Sequence, residues 1–466
     1  MKSSRLFKAL TGIVGFTLLS VSLQTQALTI SELIASIRQH HPAILAAMAR
    51  TQGEFYRREE AGTVFDPIIK QDTLTRPSGY YDGLYAEQTV IKPLQTMNAE
   101  VFGKYRISDG SFPVYEADLE TLDRGEASIG VKLSLLQNRD TDKRRLGIDS
   151  ANWKYQEALA KQDAELNKLI YAGVNAYLDW YQVERERSVI KQLVDLSRQR
   201  LSAMEQRFSA GDLPEFNVTE YRATVLSREL ALQEADQKAF AAARKLSFYY
   251  RGDAVSRGDK VDSLPDVVEW PFSKPSSNEA WRDEIISRHP AMTALDFERE
   301  QARNKKRLAR NETLPKLDLE MKLARDMGDG PSSLEDGEAV VQLAFSMPIG
   351  QRAARARESA ADADIQSLEW EIRLLEDTLR RDIDIAINNL GYAEQLASLA
   401  RQNADVASKL LEQERTRFDH GDSNQFVLIN RESNQIRAKM KAIASEVDVM
   451  RATLSILATG AQLHNY

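Results

Sequence analysis

Five histidines and no cysteine are the only candidates this chain offers for soft metal ligation or for proton transfer near neutral pH. His40 and His41 are adjacent, so on a helix they point apart, and His289, His420 and His464 stand singly. Without a thiol there is no disulfide, no thiolate metal site and no acylated N-terminal cysteine. The sequence contains no His-Glu-x-x-His, no Gly-x-Ser-x-Gly and no phosphate-cradling glycine loop. Zinc hydrolysis, serine acyl transfer and nucleotide binding therefore lack their residues. The 69 Asp and Glu residues are abundant, but on helices of this charge they read as solvated faces. Arg251-Gly252-Asp253 is a chance tripeptide at a turn. No catalytic residue, metal ligand or cofactor is expected, and the chain does not read as an enzyme.

One spacing does recur. Arg207-Phe208-Ser209-Ala210-Gly211-Asp212 returns as Arg417-Phe418-Asp419-His420-Gly421-Asp422. Each copy interrupts a long helical pattern, which then resumes. Glycine supplies the left-handed backbone that ends one helix, and a following Asp, Ser or Asn can cap the next. Each copy thus reads as the tip of a long helical hairpin.

The elements that hold these tips come in two sets. The segment that starts at Leu28–Leu33 runs into His41-Pro42, and Trp281 to Arg288 runs into His289-Pro290, each followed by a second helix rich in Ala, Glu and Arg. Strict alternation over Leu317–Leu323 and over Val341–Met347 predicts a β-hairpin with one apolar and one polar face. Ala127, Ile129, Val131, Leu133 and Leu135 alternate likewise, with a partner expected near 99–107. Strands are expected near 99–107, 126–136, 316–324 and 340–348. After each hairpin comes an exceptionally long helix. Its apolar stripe steps by threes and fours through Leu166, Ile170, Val174 and Tyr177, and again through Leu379, Ile383, Ala386 and Leu390. Such spacing predicts coiled-coil packing.

The expected organisation is a leader over 1–27, a first unit over 28–250, a linker over 251–280, a second unit over 281–460 and a tail over 461–466. The first unit carries an extra, hairpin-like insertion at about 62–98, whose place the sequence leaves open. Lys2, Arg5 and Lys8 before the apolar run Leu10–Leu23 mark the leader as a signal peptide. Its removal takes the formal charge from −7 to −10, which argues against nucleic acid as a partner. No later stretch has the roughly 18 apolar residues of a membrane helix.

In this order of parts the chain resembles the TolC family of outer-membrane channels. The resemblance covers nearly all of the mature sequence and rests on the doubled series of helix, His-Pro, hairpin and long helical hairpin turning at R-F-x-x-G. It implies a mostly α fold with a small membrane β-barrel portion. Three copies would share a 12-stranded barrel in the outer membrane and a helical tunnel in the periplasm. It implies no cofactor. The implied partners are a periplasmic adaptor protein, an inner-membrane transporter and outer-membrane lipid. The implied role is the passive exit duct of a tripartite efflux pump or a type I secretion system. Four strands per chain could not close a barrel alone, so copies would have to share one. A periplasmic coiled-coil adaptor or a tethering protein is the alternative.

The resemblance also assigns the tips. Arg207, Phe208, Gly211, Arg417, Phe418 and Gly421 keep the pattern that meets the adaptor. Asp212 and Asp422 depart from it, and either contact the adaptor or cap the returning helix. Acidic residues that ring the closed periplasmic mouth in the family fall here on Asn217, Val427 and Asn430, none of them charged. Glu215, Glu220 and Glu432 lie nearby, with Arg222 and Arg431 available to pair with them. A mouth closed by amide hydrogen bonds and Phe216/Phe426 packing is expected, with weaker cation preference.

Overall fold

The computed structural model describes residues 28–253, 268–276 and 278–466. The leader expected over 1–27 and most of the linker lie outside the described residues. Helix α1 (Ile30–His40) opens with a capping box, Thr29 and Glu32 each accepting the other's amide. It ends where Pro42 starts α2 (Pro42–Gly62), and the same step separates α5 (Glu279–Ser287) from α6 (Pro290–Asn311). Proline has no amide to offer, so the next free donor lies one residue on. His41 and His289 are the N-caps: their Nδ1 atoms accept the amides of Ala43 at 3.3 Å and Ala291 at 3.1 Å.

Two helices dominate the length. α3 (Lys143–Ser209) has 67 residues and α7 (Arg352–Asp419) has 68, each about 100 Å at 1.5 Å per residue. Asp142 caps α3 by accepting the amides of Arg144 and Arg145. Beyond the tips, α4 (Glu215–Ser247) and α8 (Gln425–Thr459) run back along only half of α3 and α7. α2 and α6 cover the other half, α2 on α3 and α6 on both α3 and α7. In the returning half α7 packs on α8, α8 on α3 and α3 on α4, so α4 and α7 end the row. The core is thickest mid-length, where Ile30, Leu33 and Ile37 meet Ile170, Val174, Tyr177, Leu246, Leu454 and Leu463. Asn167 fastens the C-terminal turn there, donating to Ala458 O at 2.9 Å and accepting from Leu463 N at 3.0 Å. Among the described residues no helix is long and apolar enough to cross a membrane.

The strands form one antiparallel sheet, β1 (Ile68–Arg76), β2 (Gly83–Pro93), β3 (Glu100–Gly110), β4 (Glu126–Ser134), β5 (Lys316–Asp326) and β6 (Glu338–Ser346), in that order. The insertion is therefore a hairpin, β1–β2, joined to β3 through the whole length of β2. Six strands replace the four expected. Alternation on the apolar face is broken at Gln71 and Gln88, so the sequence suggested a hairpin here without showing that it joins the sheet. Those two residues are cross-strand partners whose amides bond each other at 3.4 Å. One sheet face carries Ile69, Leu84, Val90, Val101, Ile107, Ile129, Leu323, Val341, Leu343 and Phe345, all exposed. On the other a charge ladder runs Glu87–Arg106 at 3.9 Å, Arg106–Glu126 at 3.0 Å, Glu126–Lys322 at 3.7 Å and Lys322–Glu338 at 3.7 Å. On this second face Phe102 lies over Gly130, in the space a Cβ there would fill.

The histidine caps make stability pH-dependent. Both imidazoles are held below their ordinary value of 6.5, His41 by burial and then by Arg251, His289 chiefly by burial. A depressed folded-state value means the contribution is complete above the ordinary value and is lost as pH falls through the lowered one. Loss of one cap costs about 1 kcal/mol. We expect the thermal midpoint of the protein to drop between pH 7 and pH 5. The double variant His41→Asn/His289→Asn keeps both acceptors and should show a flatter profile.

Candidate functional site: the helical tips and the mouth

Both tips close in the same way. Gly211 (φ +83°) and Gly421 (φ +82°) adopt the left-handed conformation. The amide of Gly211 reaches Phe208 O and that of Asp212 reaches Arg207 O, both at 2.9 Å. Gly421 N to Phe418 O, 3.0 Å, and Asp422 N to Arg417 O, 2.9 Å, repeat the pair. This is the double bond of a glycine C-terminal cap. Nothing lies within 4 Å of a Cβ placed on either glycine, so backbone conformation and not space requires glycine here.

The aspartates do not cap. The cap position of α4 is Pro214, with no side-chain bond. α8 is capped by Asn424, whose Oδ1 accepts Val427 N at 3.0 Å. Capping by Asp212 or Asp422 is thus corrected: their amides close the turns, and both carboxylates stay exposed. Asn424 outcompetes Asp422 because it directly precedes the helix, where the extended backbone of the cap residue aims its side chain at the first-turn amides.

The residues expected at the mouth divide into two groups. Glu215, Phe216, Glu220, Phe426 and Asn430 are exposed, while Asn217 and Val427 are half-buried. Phe216 and Phe426 remain 73% and 70% exposed within one chain, so neither packs against its own subunit. Arg222 pairs with Glu205 at 2.7 Å, and Arg431 lies 3.9 Å from buried Glu414. Neither arginine pairs with the glutamates anticipated for it.

Glu432 is not at an open mouth at all. It is 1% exposed and meets Arg200 of α3 at 3.0 Å, Arg228 of α4 at 3.1 Å and Arg415 of α7 at 3.7 Å. One carboxylate on α8 thus ties all four helices together. Arg228 also donates to Ser197 Oγ, itself buried on the α3 stripe. Tyr221, Val218, Val225 and Met204 pack as a small core beside it. Sequence reasoning missed Arg200, Arg228, Arg415 and Glu414. A signal did exist: Tyr221, Val225 and Arg228, like Leu428 and Glu432, step by threes and fours, which places a charge on a core stripe. Among the described residues no group of histidines and carboxylates is arranged to hold a metal ion.

This geometry can be set beside known proteins. The family described as outer membrane efflux protein matches residues 281–459. Over those residues the chain is similar to outer membrane efflux proteins. Its fold is that of the solved channels over more than nine-tenths of its length. The Campylobacter jejuni CmeC outer membrane channel superposes with a TM-score of 0.64 at 11% identity, covering 93% of this chain and 86% of that one. The VceC outer membrane protein of Vibrio cholerae gives 0.62 at 15%, covering 92% and 96%. The open-state MtrE channel of Neisseria gonorrhoeae gives 0.65 at 14%, covering 93% and 88%. No curated protein sequence matches. At these identities the structural likeness is one of fold, and the efflux-protein match falls on the second half.

The Glu432 cluster carries a direct test. Removing one partner of a buried ion pair leaves an uncompensated charge and costs about 3–5 kcal/mol. Glu432→Gln should lower the thermal midpoint sharply. Glu432→Met combined with Arg228→Met should recover most of that loss, since Arg200 and Arg415 are the less buried partners.

Proposed function

We propose that three copies of this outer-membrane channel protein close into one duct, a barrel in the outer membrane continued by a helical tunnel through the periplasm. The carrying observation is that both layers of the chain end in open, matched edges. The sheet ends at β1 and β6, and the helical row ends at α4 and α7. Each outer helix bears apolar residues its own chain leaves bare, Leu226, Leu230 and Phe240 on α4 and Leu374, Leu396, Leu399 and Val406 on α7. In both layers a first-half edge and a second-half edge stand at opposite ends. One rotation can therefore join the next copy through strands and helices together, the geometry of a closed ring. Strands of 9–11 residues suit a tilted crossing of the bilayer. The two units, 28–250 and 281–460, are read as tandem copies of one design.

In this reading the tips Arg207–Asp212 and Arg417–Asp422 face an adaptor that links the duct to an inner-membrane transporter. The protein is a passive exit for an efflux or type I secretion machine. A periplasmic adaptor or tether would leave the apolar sheet face without a function. Cysteines at Ile129 and Val341 should react with a lipid-soluble maleimide, and cysteines at Lys132 and Gln342 with a water-soluble one. The protein should fractionate with the outer membrane as an oligomer that dissociates on heating. Recovery as a soluble periplasmic monomer would overturn the proposal.

At the mouth, Phe216 and Phe426 meet across the threefold axis, and Asn217 and Asn430 supply amide hydrogen bonds. The family's ring positions fall on Asn217, Val427 and Asn430, none of them charged, and the nearby Glu432 is buried. Single-channel recordings should show weak cation preference, strengthened by Asn430→Asp, which installs three like charges. Strong selectivity that survives Glu215→Gln with Glu220→Gln would refute this view of the mouth.

A further inference from the structure

The β1–β2 hairpin decides how the barrel closes. β3 is occupied on both sides, by β2 from Pro93 opposite Glu100 to Gly83 opposite Gly110, and by β4. It therefore has no edge left for a neighbouring copy. The free edges are β1 and β6, of 9 residues each, and both are exposed along nearly their whole length.

The hairpin is also part of the sheet chemically. The apolar outer face continues over it through Leu84 and Val90 on β2 and Ile69 on β1, which is 74% exposed. On the inner face Glu87 of β2 joins the charge ladder, 3.4 Å from Lys104 and 3.9 Å from Arg106. Both ends are pinned. At one, Tyr81 lies 6.1 Å from Phe112 with the rings tilted, and 4.2 Å under Arg76, and Tyr80 meets Tyr115 across the two loops. At the other, Lys92 donates to Phe65 O at 2.7 Å. Aromatic residues at strand ends are the girdle expected at a membrane interface.

We propose that the hairpin is inserted in the shared barrel and that β6 of one copy pairs with β1 of the next, so that three copies build 18 strands instead of 12. The proposal rests on the trimeric reading above. An even strand number per copy makes the joining pair antiparallel, as the rest of the sheet is. Level ends place Ile68 near Ser346, which puts Ile69, Gln71 and Thr73 beside Phe345, Leu343 and Val341 on the lipid side. Open edges in hydrocarbon are ruled out by their unpaired backbone groups, so the occupant must offer a strand edge of equal depth. A second copy of this chain does so. At strand spacing of about 4.8 Å and tilt near 40°, 18 strands give a backbone diameter of roughly 35 Å against about 24 Å for 12.

Thiol crosslinking in intact outer membranes decides between the two closures. The variant pair Thr73→Cys with Val341→Cys tests β1 against β6, and Tyr105→Cys with Val341→Cys tests β3 against β6. A crosslinker of about 8 Å tolerates a shift of one or two residues. The expected result is a covalent trimer ladder from the first pair and none from the second. Ladders from the second pair alone would mean 12 strands with the hairpin displaced, overturning the inference and leaving the trimeric duct intact. Absence of ladders from both, in a protein that mass photometry finds monomeric, would overturn the trimeric reading itself. If both fail in a trimer, the β6–β1 junction is wrong, and counting strands by electron cryomicroscopy of the same sample shows what replaces it.

Discussion

A strand edge in hydrocarbon has nowhere to place its amides and carbonyls. Each unpaired group costs several kcal/mol there, whereas in water it costs almost nothing. The sheet of this chain has two open edges and one face of exposed apolar residues, which the proposed barrel would place in lipid. Neither layer is complete in one copy, and the helical row repeats the problem more mildly with its bare leucines on α4 and α7. On the proposed trimeric reading folding and assembly are linked, because the strand edges of one copy would find their hydrogen-bond partners only in the ring. The charge ladder fits this reading, because alternating Glu, Arg and Lys neutralise one another on the face that the proposed barrel would turn to water.

At the far end the constraint is of another kind. Two glycine turns must present short loops at fixed height, and the four helices leading to them must not splay. Apolar stripes hold pairs of helices but set their rotation only loosely. Glu432, reached by arginines from three other helices, fixes all four at one level. A buried charge is weak support for stability when compared with an apolar replacement, but it discriminates sharply against misaligned packing. In the proposed duct it would lie just inside the mouth, and any opening that parted α8 from α3, α4 or α7 would break it.

Much of this was legible in the sequence because period and punctuation carried it. β4, β5 and β6 fell where the alternation was read and β3 where their partner was expected, within a few residues, and R-F-x-x-G marked both turns. The stripe through Leu166, Ile170, Val174 and Tyr177 is buried as its spacing required. What escaped involves partners distant in sequence. Gln71 and Gln88 look like breaks in a strand until they are seen to satisfy each other across the hairpin. Arg228 and Glu432 look like solvated charges until their distance through space is known. The histidines were read as the ends of helices. Their use as acceptors follows from the proline after them, which moves the first free amide to the place where an imidazole nitrogen can take it.

The strand count also bears on how two unlike tubes can share one bore. Near the sheet each copy presents four helices, α2, α3, α6 and α7, and helices packed side by side occupy about 8–10 Å apiece. Their arc is roughly 32–40 Å per copy by that measure. Six strands tilted near 40° occupy about 37 Å, but four would occupy only about 25 Å. With six strands, sheet and helices have matching circumference, and the wall passes from one to the other without a step. On the proposed closure the duct would have no built-in throat at the membrane, and any sieving would fall to the tips.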